Sequence, residues 1–163
     1  IKKAVTVRAK VDLAKGNYEQ AIAKLSPDLL TGNAGVERYD SSDYLMCHHL
    51  LLVNKRQAEV EPMMKKAFEK SSKYSSMSSE KEPLLWLKQL NMYLRDEISD
   101  EQLLKYKSDH YDKATYYLAI GLKQLRLGDK GKALKALHQA SVMSAKSYRS
   151  DGLSEPLVEE LEK

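Results

Sequence analysis

Cys47, His48 and His49 stand side by side and form the one cluster of metal-type or nucleophile-type side chains in the sequence. A metal site needs donors that converge, and successive helical residues point about 100° apart, so three in a row on one helix cannot close around an ion. His110 and His138 stand alone. The run therefore reads as a small buried apolar thiol with one of the two histidines facing a groove. Nucleophilic catalysis asks for a Ser or Cys held by a His, with a third group orienting the base and a Gly-rich turn donating to the oxyanion. The chain has no G-x-S-x-G, no G-x-x-x-x-G-K-[ST] and no G-x-G-x-x-G. Gly128-Asp129-Lys130-Gly131 is a helix turn without the rest of a phosphate loop. The paired carboxylates Asp96-Glu97 and Glu159-Glu160 suit solvated helix ends. The expectation is a protein that is not an enzyme and takes no metal and no cofactor.

Composition agrees with a plain helical domain. The 163 residues are 42% apolar and 31% charged, one domain's length. No stretch approaches the ~18 uninterrupted apolar residues of a membrane span. Seven Gly, four Pro and a single Cys exclude a collagen-like chain, a Pro/Gly-rich disordered chain and an internal disulfide. The opening IKKAVTVRAK begins without Met and lacks the apolar core of a secretory signal, so a fragment or processed form is expected. The compartment stays open between cytoplasm and bacterial periplasm.

Apolar residues recur at three and four positions almost throughout, which predicts an all-α chain. Helices are expected at roughly Lys2–Lys15, Tyr18–Leu25, Ser42–Val53, Arg56–Ser71, Glu80–Arg95, Asp100–Lys107, Tyr111–Leu127, Lys130–Ser147 and Glu155–Leu161. Gly16-Asn17, a loop from Thr31 to Gly35, a Ser-rich bridge from Ser71 to Ser79 and Gly128-Asp129 punctuate them. Ser79 with Glu82, and Ser99 with Gln102, have capping-box spacing, and Ser154 before Glu155-Pro156 reads as an N-cap.

Two segments, AKGNYEQAIAKL (Ala14 to Leu25) and RLGDKGKALKAL (Arg126 to Leu137), share Gly, Ala, an aliphatic residue and Leu at matching offsets. With ATYYLAIG (Ala114 to Gly121) upstream and Ala140 downstream, the second unit resembles the tetratricopeptide repeat, a helix–turn–helix of ~34 residues. Tyr117, Ile120, Gly121, Gly128, Ala133, Leu137 and Ala140 fill that family's places in order. Gly121 and Ala133 are expected where the paired helices press together, with Tyr117 and Leu137 filling the gaps on either side. The first unit matches on Ala9, Gly16, Tyr18, Ala21 and Leu25, whereas units registered on Tyr44 and Trp86 match poorly. Gly16 and Gly128 are 112 residues apart, some ten more than three units of ~34 would span, so insertions are expected in the Thr31 loop and the Ser-rich bridge.

The resemblance implies a superhelical stack of about four antiparallel helix pairs, a tetratricopeptide-like α-solenoid forming one domain over 1–163. Its units fall at roughly 1–34, 40–72, 80–108 and 111–147, with a terminal helix at 154–162 as a cap. It also implies a scaffold or adaptor that binds a protein or peptide on the concave face. In the last unit that face would carry Thr115, Leu118, Ala119, Leu122, Leu125 and Arg126, with Lys10 from the first unit and Leu45 and His49 from the second. The Lys/Asn/Arg clamp of chaperone-binding members is missing, since Leu118, Leu122, Thr6 and Lys10 hold those places. The run Tyr93 to Lys107 followed by the YYLAIG unit also resembles the end of bacterial envelope lipoproteins built from these repeats.

Charge offers a second class of partner. Between Lys113 and Arg149 there are eight basic residues and one acid, Asp129; residues 150–163 hold five acids and one base. Such a strip could hold a polyanion, but Tyr148 is the only aromatic near its end, which disfavours nucleic acid against a solvated outer face. A structural module within a larger assembly is the third reading. Oligomeric state is left open.

Overall fold

The computed structural model describes residues 2–35, 41–74, 81–106, 110–146 and 152–163, and every regular element among them is helical. Helix α1 (Lys2–Ala14) turns back at Gly16 into α2 (Tyr18–Ala23). A short α3 (Pro27–Thr31) follows, opened by Pro27 at its first position. Five residues are too few to show a period, which is why the spacing predicts only a break here. Next come α4 (Ser41–Val53), a 3-10 turn at Gln57–Glu59, and α5 (Val60–Tyr74), so the single helix expected from Arg56 starts as a tighter turn and runs past Ser71. Gly32, at φ 78°, ends α3 against α5. A Cβ there would stand 2.2 Å from Met63 O and 2.9 Å from Ala67 N, a separation that only glycine allows.

Beyond the Ser-rich stretch lie α6 (Lys81–Leu94) and α7 (Asp100–Leu104). The capping box predicted for α7 is formed in both directions: Gln102 N donates to Ser99 Oγ at 3.2 Å, and Ser99 N to Gln102 Oε1 at 2.8 Å. The box predicted at Ser79 lies outside the described residues. The chain ends with α8 (His110–Leu127), α9 (Lys130–Lys146) and α10 (Ser154–Leu161). Ser154 does not cap α10: Leu153 occupies the N-cap position, with no side-chain hydrogen bond there. No helix among the described residues is long and apolar enough to cross a membrane.

The hairpin of α8 and α9 is the most extensive pairing, and its crossing has the predicted geometry. A Cβ on Gly121 would lie 2.6 Å from Leu137 Cγ and Cδ2, and Ala133, Leu137 and Ala140 are fully buried. At the centre of the molecule is α4, in contact with α1, α2, α3, α5, α6 and α8. Every residue from Ser42 to Leu51 is buried. The reason is legible in YLMCHHLLLV, which offers no charged stripe for water to wet, and a helix apolar all round packs inside. In a linear stack each repeat touches only its neighbours. Here α10 packs on both α9 and α1, so the first and last helices meet and the hairpins close on themselves.

Candidate functional site

The residues expected on a concave binding face are mostly core. Leu45, Leu118 and Leu122 are 0% exposed, and Thr115 and His49 are buried with them. Thr115 Oγ1 accepts a hydrogen bond from Trp86 Nε1 at 2.8 Å, tying α8 to α6. Leu125 and Arg126 are half-buried. Arg126 Nη2 donates to Leu94 O at 3.0 Å and lies 3.5 Å from Asp96 Oδ2. Beside it, Lys123 Nζ stands 2.7 Å from Asp96 Oδ1, 3.4 Å from Tyr93 O and 4.0 Å from the centre of the Tyr93 ring. Together these two cations from α8 close the C-terminus of α6, where open carbonyls carry partial negative charge. The hydrogen bond from Lys123 holds the Asp96 carboxyl below its ordinary range. Lys10 is half-buried, with Nζ 3.0 Å from Asp43 Oδ1 on α4, and it packs along Gly152 at the approach to α10.

The Cys47-His48-His49 run fares differently from the expectation that one histidine faces a groove. All three side chains are buried. Burial pushes the Cys47 thiol up to about 12, leaving it a neutral small apolar group as predicted. Asn91 Nδ2 donates to Leu87 O at 2.8 Å, which turns its Oδ1 toward His48 Nδ1 as acceptor. His48 therefore carries its proton on Nδ1 and is neutral. Burial lowers its pKa to about 4. His49 meets Tyr18 edge-on, ring centres 6.0 Å apart, and burial lowers its pKa to about 3. The Nε2 atoms of both rings are buried without a protein partner. No group of three or more His, Cys, Asp or Glu side chains among the described residues could hold a metal ion.

Set against protein-family models, curated proteins and solved structures, the chain gives no significant match to any of them. Candidate surfaces thus rest on geometry alone.

Two surfaces stand out. On α1 the core face is Ala9 and Leu13, and the opposite side exposes Val7 at 58% and Val11 at 42%, one turn apart and flanked by exposed Arg8 and Lys15. On α9, Lys130, Lys132, Lys135 and Lys146 are exposed. Of the basic strip, Lys123 and Arg126 are taken up by the end of α6, and Lys132 lies 3.7 Å from Asp129. Arg149 lies outside the described residues. The valine pair escapes sequence reasoning because Val7, Val11 and the core residues around them are all apolar, and only packing tells which side faces out.

Proposed function

We propose that this chain is a non-catalytic protein-interaction domain built from tetratricopeptide-like hairpins, and that it binds a protein or peptide partner through an outward face rather than through a concave row of leucines. The observation that carries the reading is the Val7–Val11 pair, two large apolar side chains held out on one face of α1 with the exposed bases Arg8 and Lys15 along one edge. Such a patch suits a partner segment with apolar anchors and acidic flanks. The non-catalytic part is supported by the burial of Cys47, His48 and His49, the side chains best suited to nucleophilic or acid–base work. The Gly121–Leu137 crossing supports the repeat ancestry, although the closed arrangement departs from a linear solenoid.

The test is capture of a partner, identified from the native source and then purified, by the chain and by V7D/V11D. Capture is expected to fall at least tenfold, with helical circular dichroism unchanged because both positions face water. Unchanged capture removes this face. If K130E/K132E/K135E abolishes capture instead, and affinity drops steeply with salt, the polyanion reading replaces it. Leu118→Asp and Leu122→Asp are not usable probes of a binding face, since each would bury a carboxylate in the core.

A further inference from the structure

We infer that the junction of α4, α6 and α8 is a binding site for a small oxyanion that carries a proton, hydrogen phosphate being the simplest, held between the Nε2 atoms of His48 and His49 and the guanidinium groups of Arg95 and Arg126. The site is separate from the Val7–Val11 face and does not depend on the chain's binding a protein partner.

The three helices pack on one another in pairs, and their meeting brings four side-chain nitrogens into one neighbourhood. His48 Nδ1 meets Asn91 Oδ1 on α6, Arg95 follows Asn91 by one helical turn, and Arg126 of α8 reaches Leu94 O at 3.0 Å. Burial lowers the pKa of both imidazoles, and Arg126 lowers it further, joined at His48 by Arg95, so the guanidinium charges lie beside the rings. His48 and His49 are 0% and 1% exposed. Their Nε2 atoms, together with Nε of Arg95 and of Arg126, are buried without a hydrogen-bond partner in the protein. Glu97 Oε1 stands 3.3 Å from Arg95 Nε as an ion pair, without a directed bond to it. Buried polar groups in folded proteins are almost all matched, so four unmatched nitrogens together call for a guest. Its chemistry follows from theirs. With its proton on Nδ1, His48 presents a lone pair at Nε2, whereas each arginine Nε presents an N–H. The guest must therefore donate on one side and accept on the other. Two guanidinium groups repel a metal cation, and a bare anion would set its oxygen against the His48 lone pair. Hydrogen phosphate offers both an O–H and charged oxygens. Local charge suits it, for Arg95, Lys123 and Arg126 outnumber Asp96 and Glu97, whose side chains are 57% and 45% exposed. Tyr18, edge-on to His49, is neutral with its pKa raised by burial, and so is Cys47 beside the pair. The Arg95 and Arg126 side chains are 28% and 24% exposed, which gives the ion a way in from solvent.

Inorganic phosphate and sulfate, titrated into the full chain by calorimetry near neutral pH, are the probes. Phosphate should bind one to one. Sulfate has a similar size and charge but carries no proton near neutrality, and should bind at least roughly tenfold more weakly. H48N, whose amide can still donate to Asn91 but lacks Nε2, and R126K, which keeps the charge but loses the Nε–H, should each lower phosphate affinity at least roughly tenfold. K130E/K132E/K135E should bind phosphate as wild type does. In isotope-labelled wild type the His48 Nε2 resonance should shift as phosphate is added, a readout that needs no variant to fold. Equal affinity for the two ions overturns the proposal, reducing the site to a plain positive patch. Loss of phosphate binding in K130E/K132E/K135E also overturns it and moves the ion to α9. Absence of saturable binding, with an unmoved His48 resonance, overturns it in favour of bridging water.

Discussion

At the scale of single residues, the histidine pair on α4 sets how the protein responds to acid. His48 and His49 are neutral in the fold, with pKa values lowered to about 4 and about 3, whereas in the unfolded chain they titrate near 6.5. Between these values the unfolded state holds more protons, so their contribution is complete above about pH 6.5 and is lost as pH falls toward 4. For His48 alone the loss at pH 4 is on the order of 3 kcal/mol. Urea midpoints measured from pH 7.5 to 4.5 should fall steadily below 6.5, and H48Q should flatten the slope. A midpoint unchanged from pH 7 to 5 would mean that the imidazoles are not buried neutral.

At the scale of elements, the α8–α9 crossing gives the two glycines of this hairpin's helices opposite roles. At Gly121 a methyl group would lie 2.6 Å from Leu137, while at Gly131 the nearest atom is Asp129 Oδ1 at 3.8 Å. Replacing a helical glycine by alanine gains up to about 1 kcal/mol of propensity, and forcing a methyl into a packed crossing costs about 1–3 kcal/mol. G131A should therefore raise the thermal midpoint and G121A lower it. A stabilised G121A would show that the hairpin is looser than the nesting of Gly121 against Leu137 implies. The same reasoning accounts for what the repeat pattern missed. It places Arg126 on a binding face, but that side chain reaches across, with Lys123 beside it, to the carbonyls that end α6, a contact between residues some thirty positions apart.

At the scale of the whole molecule, closure of the chain's two ends is the main structural consequence of the contacts. Lys10 joins α1 to α4 through Asp43 and packs along Gly152, whereas Lys24, whose side chain is 44% exposed, pairs with Asp12 from the solvent side. Removing Lys10 takes a cation from a carboxylate whose side chain is only 12% exposed, so K10M should cost on the order of 3 kcal/mol. K24M should cost about 1 kcal/mol or less. Urea unfolding of the two variants checks the ratio. Equal costs would mean that the junction of α1, α4 and α10 is not a locked one.

The sequence by itself determined that the chain is helical, where most of its helices break, which small residues nest in the last hairpin and that Ser99 and Gln102 cap α7. Each of these is a local property of spacing, readable within a turn or two. It also held, unread, the sign that α4 is central, in ten residues without a charged stripe. Only the tertiary structure decided which apolar residues are core and which are surface, because Leu118 and Val11 belong to the same chemical class and differ only in what packs over them. Tertiary structure also decided that the hairpins close through α1 and α10, a pairing between opposite ends of the chain that no short-range period encodes.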